Sequence, residues 1–121
     1  MVIAVLGATG QLGSELLSLW GEEAVGLTRD QLDLADPSNF ETALEVVEAN
    51  GAEVLVNAAA YNLVDRAESE PSRAMAVNAL GPRHLARCCA SRGIRLVQVS
   101  SDFVFGADTT RREPYAETDE T

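Results

Sequence analysis

Five apolar residues, Val2–Leu6, run straight into Gly7-Ala8-Thr9-Gly10-Gln11-Leu12-Gly13. A short apolar run stopped by glycine predicts a buried strand, and the amphipathic pattern that follows predicts a helix over Gln11–Trp20. Strand-like and helix-like patterns then alternate. Residues 24–28 read as a short second strand. Asp36-Pro37-Ser38-Asn39 opens a helix, because Asp36 can cap it and Pro37 suits its first turn. Phe40, Ala43, Leu44 and Val47 recur at helical spacing and share one face. Asn50-Gly51 ends that helix, and residues 53–57 read as the third strand. Residues 71–92 carry a long helical pattern, with Gly81-Pro82 in its middle predicting a kink. Gly93 caps its end, and residues 95–100 read as the fourth strand. From Gly106 onward the chain turns polar and reads as loop.

Strands apolar on both faces and separated by helices imply a parallel sheet covered on both sides. With right-handed crossovers the expected fold is α/β, a Rossmann-type doubly wound parallel sheet in the order 3-2-1-4, as one domain over residues 1–121. Such a sheet ordinarily continues past a fourth strand. The chain is therefore expected to be truncated there, either as a fragment of a longer protein or as a domain that pairs through its bare edge.

The strand, glycine turn and helix start together have the layout of a dinucleotide pyrophosphate cradle. Gly7 allows the tight turn, Gly10 lets phosphates approach the backbone, and Gly13 lets the helix pack close on the strand. Thr9, Gln11 and Leu12 complete the turn, and the helix N-terminus presents free N–H groups and a positive dipole end to the anion.

Arg29 follows the second strand, about twenty residues past the turn, where an acidic residue holds the ribose 2′-hydroxyl of NAD and an arginine accommodates the 2′-phosphate of NADP. Asp30 is adjacent, so both cofactors stay open, with NADP favoured. Asp33 can accept from an adenine amino group while Leu34 packs on the ring. At the end of the third strand, Asn57 can fix the following loop by side-chain hydrogen bonds, and the small Ala58, Ala59 and Ala60 leave room beside the cofactor. Ser100 and Ser101 end the fourth strand, where ligands of open parallel sheets sit. A hydroxyl there can polarise a substrate carbonyl. Asn78 is a polar residue inside an apolar helical run, so it is either exposed or bonded to a buried partner.

Composition narrows the classes further. Nineteen acidic residues against nine basic ones give a net charge of −10, which argues against general nucleic-acid binding. No stretch approaches the length of a membrane span and the start lacks a basic n-region, so the expected location is the cytoplasm. Cys88 and Cys89 are adjacent and read as small buried residues rather than a disulfide or zinc framework. His84 and Glu15 read as solvated helix positions, and no metal site is expected.

Several segments resemble one family within the extended short-chain dehydrogenase/reductase superfamily, the dTDP-4-dehydrorhamnose reductases, over their N-terminal part. They are the glycine turn, Leu32-Asp33-Leu34-Ala35-Asp36, Val56-Asn57-Ala58-Ala59-Ala60-Tyr61, Val64-Asp65-Arg66-Ala67-Glu68-Ser69-Glu70-Pro71, Val77-Asn78-Ala79 and Val99-Ser100-Ser101-Asp102-Phe103-Val104-Phe105-Gly106. A Pro-Tyr-x-Glu run follows at Pro114-Tyr115-Ala116-Glu117. The resemblance spans the whole chain, and the Val-Asp-x-Ala-Glu-x-Glu and Ser-Ser-Asp-Phe-Val-Phe runs are specific to this branch. It implies reduction of the 4-keto group of a dTDP-6-deoxyhexose by NADPH or NADH. Ser101 matches the serine or threonine that hydrogen-bonds the keto oxygen, and Tyr61 falls in the cofactor-binding run. The family's proton donor sits in a Tyr-x-x-x-Lys motif. These residues contain no lysine, and Tyr115 is followed four positions later by Asp119. The motif and the sugar-binding subdomain are expected beyond Thr121, and the chain alone is expected to be inactive. Two alternatives are a related sugar-nucleotide epimerase or dehydratase, and a non-catalytic NADP-binding subunit resembling that of methionine adenosyltransferase. Assembly as a homo-oligomer is left open.

Overall fold

The structure is a computed structural model that describes residues 1–106 and 108–121. Four strands, β1 (Val2–Leu6), β2 (Ala24–Leu27), β3 (Ala52–Asn57) and β4 (Arg95–Gln98), form one sheet in the order β2-β1-β3-β4. All pairings are parallel, with Val5 facing Gly26 on one side and Val56 on the other, and Val56 facing Val97. The doubly wound, Rossmann-like class is as the alternating pattern requires. The order of addition reverses at β1, with β2 on one side of it and β3 and β4 on the other, which is also where the order 3-2-1-4 puts its switch. That order reserves a place outside β2 for a third strand, and no strand fills it here. After β2, residues 28–36 make successive turns (Gln31 and Leu32 N–H to the Thr28 carbonyl, Asp36 N–H to the Asp33 carbonyl) and bury Leu32 and Leu34 instead of forming a strand. The third strand of this chain therefore bonds to β1, and β4 lies at the edge beyond it.

Right-handed crossovers put the connection from β1 to β2 on one face and the later connections on the other. Helix α1 (Gln11–Trp20) packs on β1 and β2. Helices α2 (Phe40–Ala49) and α5 (Gly81–Ser91) pack on each other and on β3 and β4 respectively. Because strand side chains alternate between faces, Ala4, Leu6 and Leu55 meet Phe40, Leu44, Val47, Leu85 and Cys89 in one core. The four positions that share a face in α2, Phe40, Ala43, Leu44 and Val47, are its buried ones. Asp36 caps a single 3-10 turn over Pro37–Asn39 that leads into α2, its carboxylate accepting from the Ser38 N–H at 3.1 Å. Cys88 and Cys89 are buried free thiols, and burial pushes Cys89 up to about 11.

The long pattern over residues 71–92 is not one kinked helix. It comprises α4 (Pro71–Met75), a π turn over Ala76–Leu80 and then α5. Pro82 lacks an N–H and cannot continue an α ladder, and the wider π turn absorbs the misfit just before it. Gly81 is buried at this junction, and a Cβ there would fall on the Leu34 carbonyl. Helix α3 (Val64–Ser69) has no sequence signature because it buries none of its residues.

Candidate functional site

The turn between β1 and α1 is held from both sides. The Gly7 and Ala8 N–H groups both donate to the Leu27 carbonyl of β2, at 3.1 and 3.2 Å. On the other side, the Ala58 N–H donates to the Leu6 carbonyl at 3.0 Å. Gly7 has a φ of +86°, which favours glycine, and a Cβ on it would press on the Ala59 backbone nitrogen at 2.9 Å. Gly10 precedes α1 in extended conformation and offers no side-chain cap. The first turn of α1 carries no acidic residue. Its leading N–H groups and positive dipole end are therefore left for an external anion.

Beside this turn, at the carboxyl ends of β1 and β3, lies a cavity of about 120 Å³. Among the expected residues, Gly7, Thr9, Arg29, Asp33, Leu34, Ala59, Ala60 and Tyr61 line it. Leu6, Leu32 and Val77 line it as well and escaped the sequence reading, although each adjoins a residue it singled out. Gln11, Leu12, Ala58 and Ser100 are not on its walls. Gly13 is buried under the turn and acts on the cavity only through the position of α1.

Asp33 is already engaged. One carboxylate oxygen accepts from the Ala35 N–H at 2.9 Å, and the other accepts from Arg29 Nε at 3.2 Å. This pair ties the guanidinium beyond β2 to the cavity floor, while 61% of the Arg29 side chain remains exposed.

Asn57 is fully buried, and both polar atoms of its side-chain amide have partners. Its Oδ1 accepts from the Ala59 N–H at 3.1 Å, and its Nδ2 donates to Gln98 Oε1 at 2.7 Å. One side chain thus fixes the alanine loop and fastens β3 to β4. Replacing Asn57 with Ala leaves the Ala59 N–H and the Gln98 amide without that partner, and the expected cost is about 2 kcal/mol. A urea-unfolding midpoint that does not move would show that the loop holds itself.

Asn78 does not reach the cavity. It sits in the π turn and grips the Tyr61 backbone twice: Oδ1 accepts from the Tyr61 N–H and Nδ2 donates to the Tyr61 carbonyl, both at 2.8 Å. The partner that a polar residue inside an apolar run calls for is therefore a loop backbone. Tyr61 in turn donates its hydroxyl to Glu70 Oε2 at 2.7 Å, which holds the Glu70 carboxyl below the usual carboxylate range.

Ser100 and Ser101 follow β4 at the same carboxyl edge, outside the cavity. Ser101 Oγ accepts from the Phe103 N–H at 3.1 Å and so caps the turn over Asp102–Val104. Its hydroxyl proton is free to be donated elsewhere. Among the described residues no three His, Cys, Asp or Glu side chains gather as a metal set, and no helix is long and apolar enough to cross a membrane.

Comparison with known proteins places this geometry. The chain is 46% identical to the dTDP-4-dehydrorhamnose reductase of Mycobacterium tuberculosis (strain CDC 1551 / Oshkosh) over 124 residues, covering 98% of this chain and 39% of that protein. A crystal structure of a dTDP-4-dehydrorhamnose reductase from Clostridium acetobutylicum superposes with a TM-score of 0.85 at 32% identity, covering 99% of this chain and 42% of that one. A second, from Bacillus anthracis in complex with NADP, gives a TM-score of 0.75 at 32% identity, covering 85% and 37%. The chain thus spans about two fifths of the length of these relatives. The family described as RmlD substrate binding domain matches residues 1–121, and the chain belongs to that family.

Proposed function

We propose that this chain is the dinucleotide-binding part of a dTDP-4-dehydrorhamnose reductase, which reduces the 4-keto group of a dTDP-6-deoxyhexose by hydride transfer. The observation that carries the reading is the uncapped N-terminus of α1 behind Gly10, opening beside the cavity at the ends of β1 and β3. The similar reductase from Bacillus anthracis was solved with NADP, which supports the same class of ligand here. The pyrophosphate would lie on the backbone of residues 10–13, with Thr9 alongside. Leu32 and Leu34 would form the apolar side of the adenosine site. Asp33 would accept from the adenine amino group through a lone pair left by Arg29 and Ala35. Ala59, Ala60 and Tyr61 would form the opposite wall. The cofactor supplies the hydride. Ser101 would donate its hydroxyl proton to the keto oxygen while the Phe103 N–H keeps Oγ in place. Residues beyond this set must supply the transferred proton, because the chain has no lysine to form the family's Tyr-x-x-x-Lys pair.

Titration calorimetry of the chain with NADPH and with NADH tests the cofactor part, and absence of heat with either would sink it. The reductase part is tested by NADPH oxidation with dTDP-4-keto-6-deoxyhexose, using a protein that continues this chain through a Tyr-x-x-x-Lys segment.

NADP is the favoured cofactor, and Arg29 is its proposed discriminator. Arg29→Ala is expected to weaken NADPH binding about tenfold, the worth of one charge-assisted contact, and NADH binding by less than about twofold. Equal losses for the two cofactors would remove the 2′-phosphate role.

A further inference from the structure

A second cavity, of about 360 Å³, adjoins the first and shares Arg29, Ala60 and Tyr61 with it. Its remaining wall includes Arg66 of α3, and Glu70 and Arg73 at the start of α4. The chain carries nineteen acidic residues and nine basic ones, yet three of those nine arginines face this one space with a single carboxylate. That carboxylate is already balanced. Glu70 Oε1 meets Arg66 Nη2 at 3.2 Å, and Oε2 accepts from the Tyr61 hydroxyl. Arg29, which also lines this space, is paired with Asp33 through its Nε, and its terminal nitrogens carry no hydrogen bond among the described residues. Arg73 makes no ion pair among the described residues. The local balance is therefore positive in a strongly negative molecule. The space begins where Arg29 stands and extends away from the adenosine cavity toward α3 and α4.

We infer that Arg66 and Arg73 complete, with Arg29, a phosphomonoester site that selects the 2′-phosphorylated cofactor. This deepens the proposed function and rests on the adenosine reading of the first cavity. A dianionic phosphate takes bidentate contacts from guanidinium groups far better than a ribose hydroxyl does. Arg66 is held by Glu70, which in turn is held by Tyr61, so one hydrogen-bonded chain links the phosphate wall to the adenosine wall. Arg73, which has no ion-pair partner among the described residues, is the counterion that the phosphate would recruit.

The test compares two adenosine probes that differ only by the phosphate, adenosine 2′,5′-bisphosphate and 5′-AMP, titrated into the wild-type chain and into Arg73→Ala. The bisphosphate is expected to bind the variant about tenfold more weakly, and 5′-AMP to bind both proteins within about twofold. Arg73→Lys is expected to recover part of the loss by keeping the charge without the bidentate geometry. Unchanged bisphosphate affinity in Arg73→Ala would overturn the inference while leaving the cofactor reading intact, and so would equal weakening of both probes. A wild-type chain that binds neither probe would overturn the cofactor reading itself.

Discussion

Gly13→Ala is expected to destabilise the domain by about 3 kcal/mol, the upper end of what overpacking a filled interior costs. A Cβ at this position would fall on the Gly7 carbonyl oxygen, with the Gly7 carbonyl carbon at 2.7 Å and the Ala8 Cα at 3.2 Å. All three are backbone atoms, so no side-chain rotation relieves the contact. The backbone they belong to is fastened to β2 through the two N–H bonds to Leu27. Relief therefore requires α1 to move away from the sheet, opening the buried contact between this helix and β1. For a chain of this size the loss corresponds to a melting temperature about 10 °C lower. A shift of less than about 2 °C in a thermal scan would mean that α1 is not pressed on the turn as the structure has it.

The second large effect separates binding from stability. Gly10→Val is expected to leave the domain folded and to weaken NADPH and NADH alike by at least about a hundredfold, the loss of two charge-assisted hydrogen bonds. Gly10 has φ −79° and ψ 171°, extended backbone that any residue adopts. A Cβ there meets a single heavy atom within 4 Å, the Gly7 carbonyl oxygen at 3.3 Å, and otherwise enters open space. The space is empty of protein but is where a pyrophosphate would approach the N–H groups of α1. Loss for both cofactors distinguishes this variant from Arg29→Ala, whose effect is expected on one. Native affinity in Gly10→Val would move the phosphates elsewhere.

The parts of the fold that bury one clean face were legible in the sequence. The apolar run at Val2–Leu6 and the spacing of Phe40, Ala43, Leu44 and Val47 each mark a surface that meets the core, and each forms the expected element. Helix α3 was not legible because it buries nothing, so no periodicity betrays it. The neighbours of β3 were not legible either. Whether residues 28–36 pair as a strand or turn depends on where Leu32 and Leu34 find burial, which no local pattern states. In the candidate site the glycine turn and the alanine loop could be read directly, since small residues at those positions serve close approach. Val77 and Leu6 could not, because an apolar residue lining a cavity looks like one filling a core. Arg66 and Arg73 are spaced as ordinary surface charges on short helices. Only the folding of α3 and α4 against the Tyr61 loop brings them to one space.

The π turn at Ala76–Leu80 holds Asn78 against the Tyr61 backbone. Each residue of an α-helix advances about 100° around its axis. Deleting a residue between Asn78 and Gly81 would relax the wide turn to an ordinary helix and rotate Asn78 relative to α5 by a fraction of that angle, moving its amide off the Tyr61 backbone. The count of residues between Asn78 and Gly81 is thereby as constrained as their identity. Length is usually the freest variable of a connecting segment; here an insertion or deletion at the π turn would be read directly at the cavity wall.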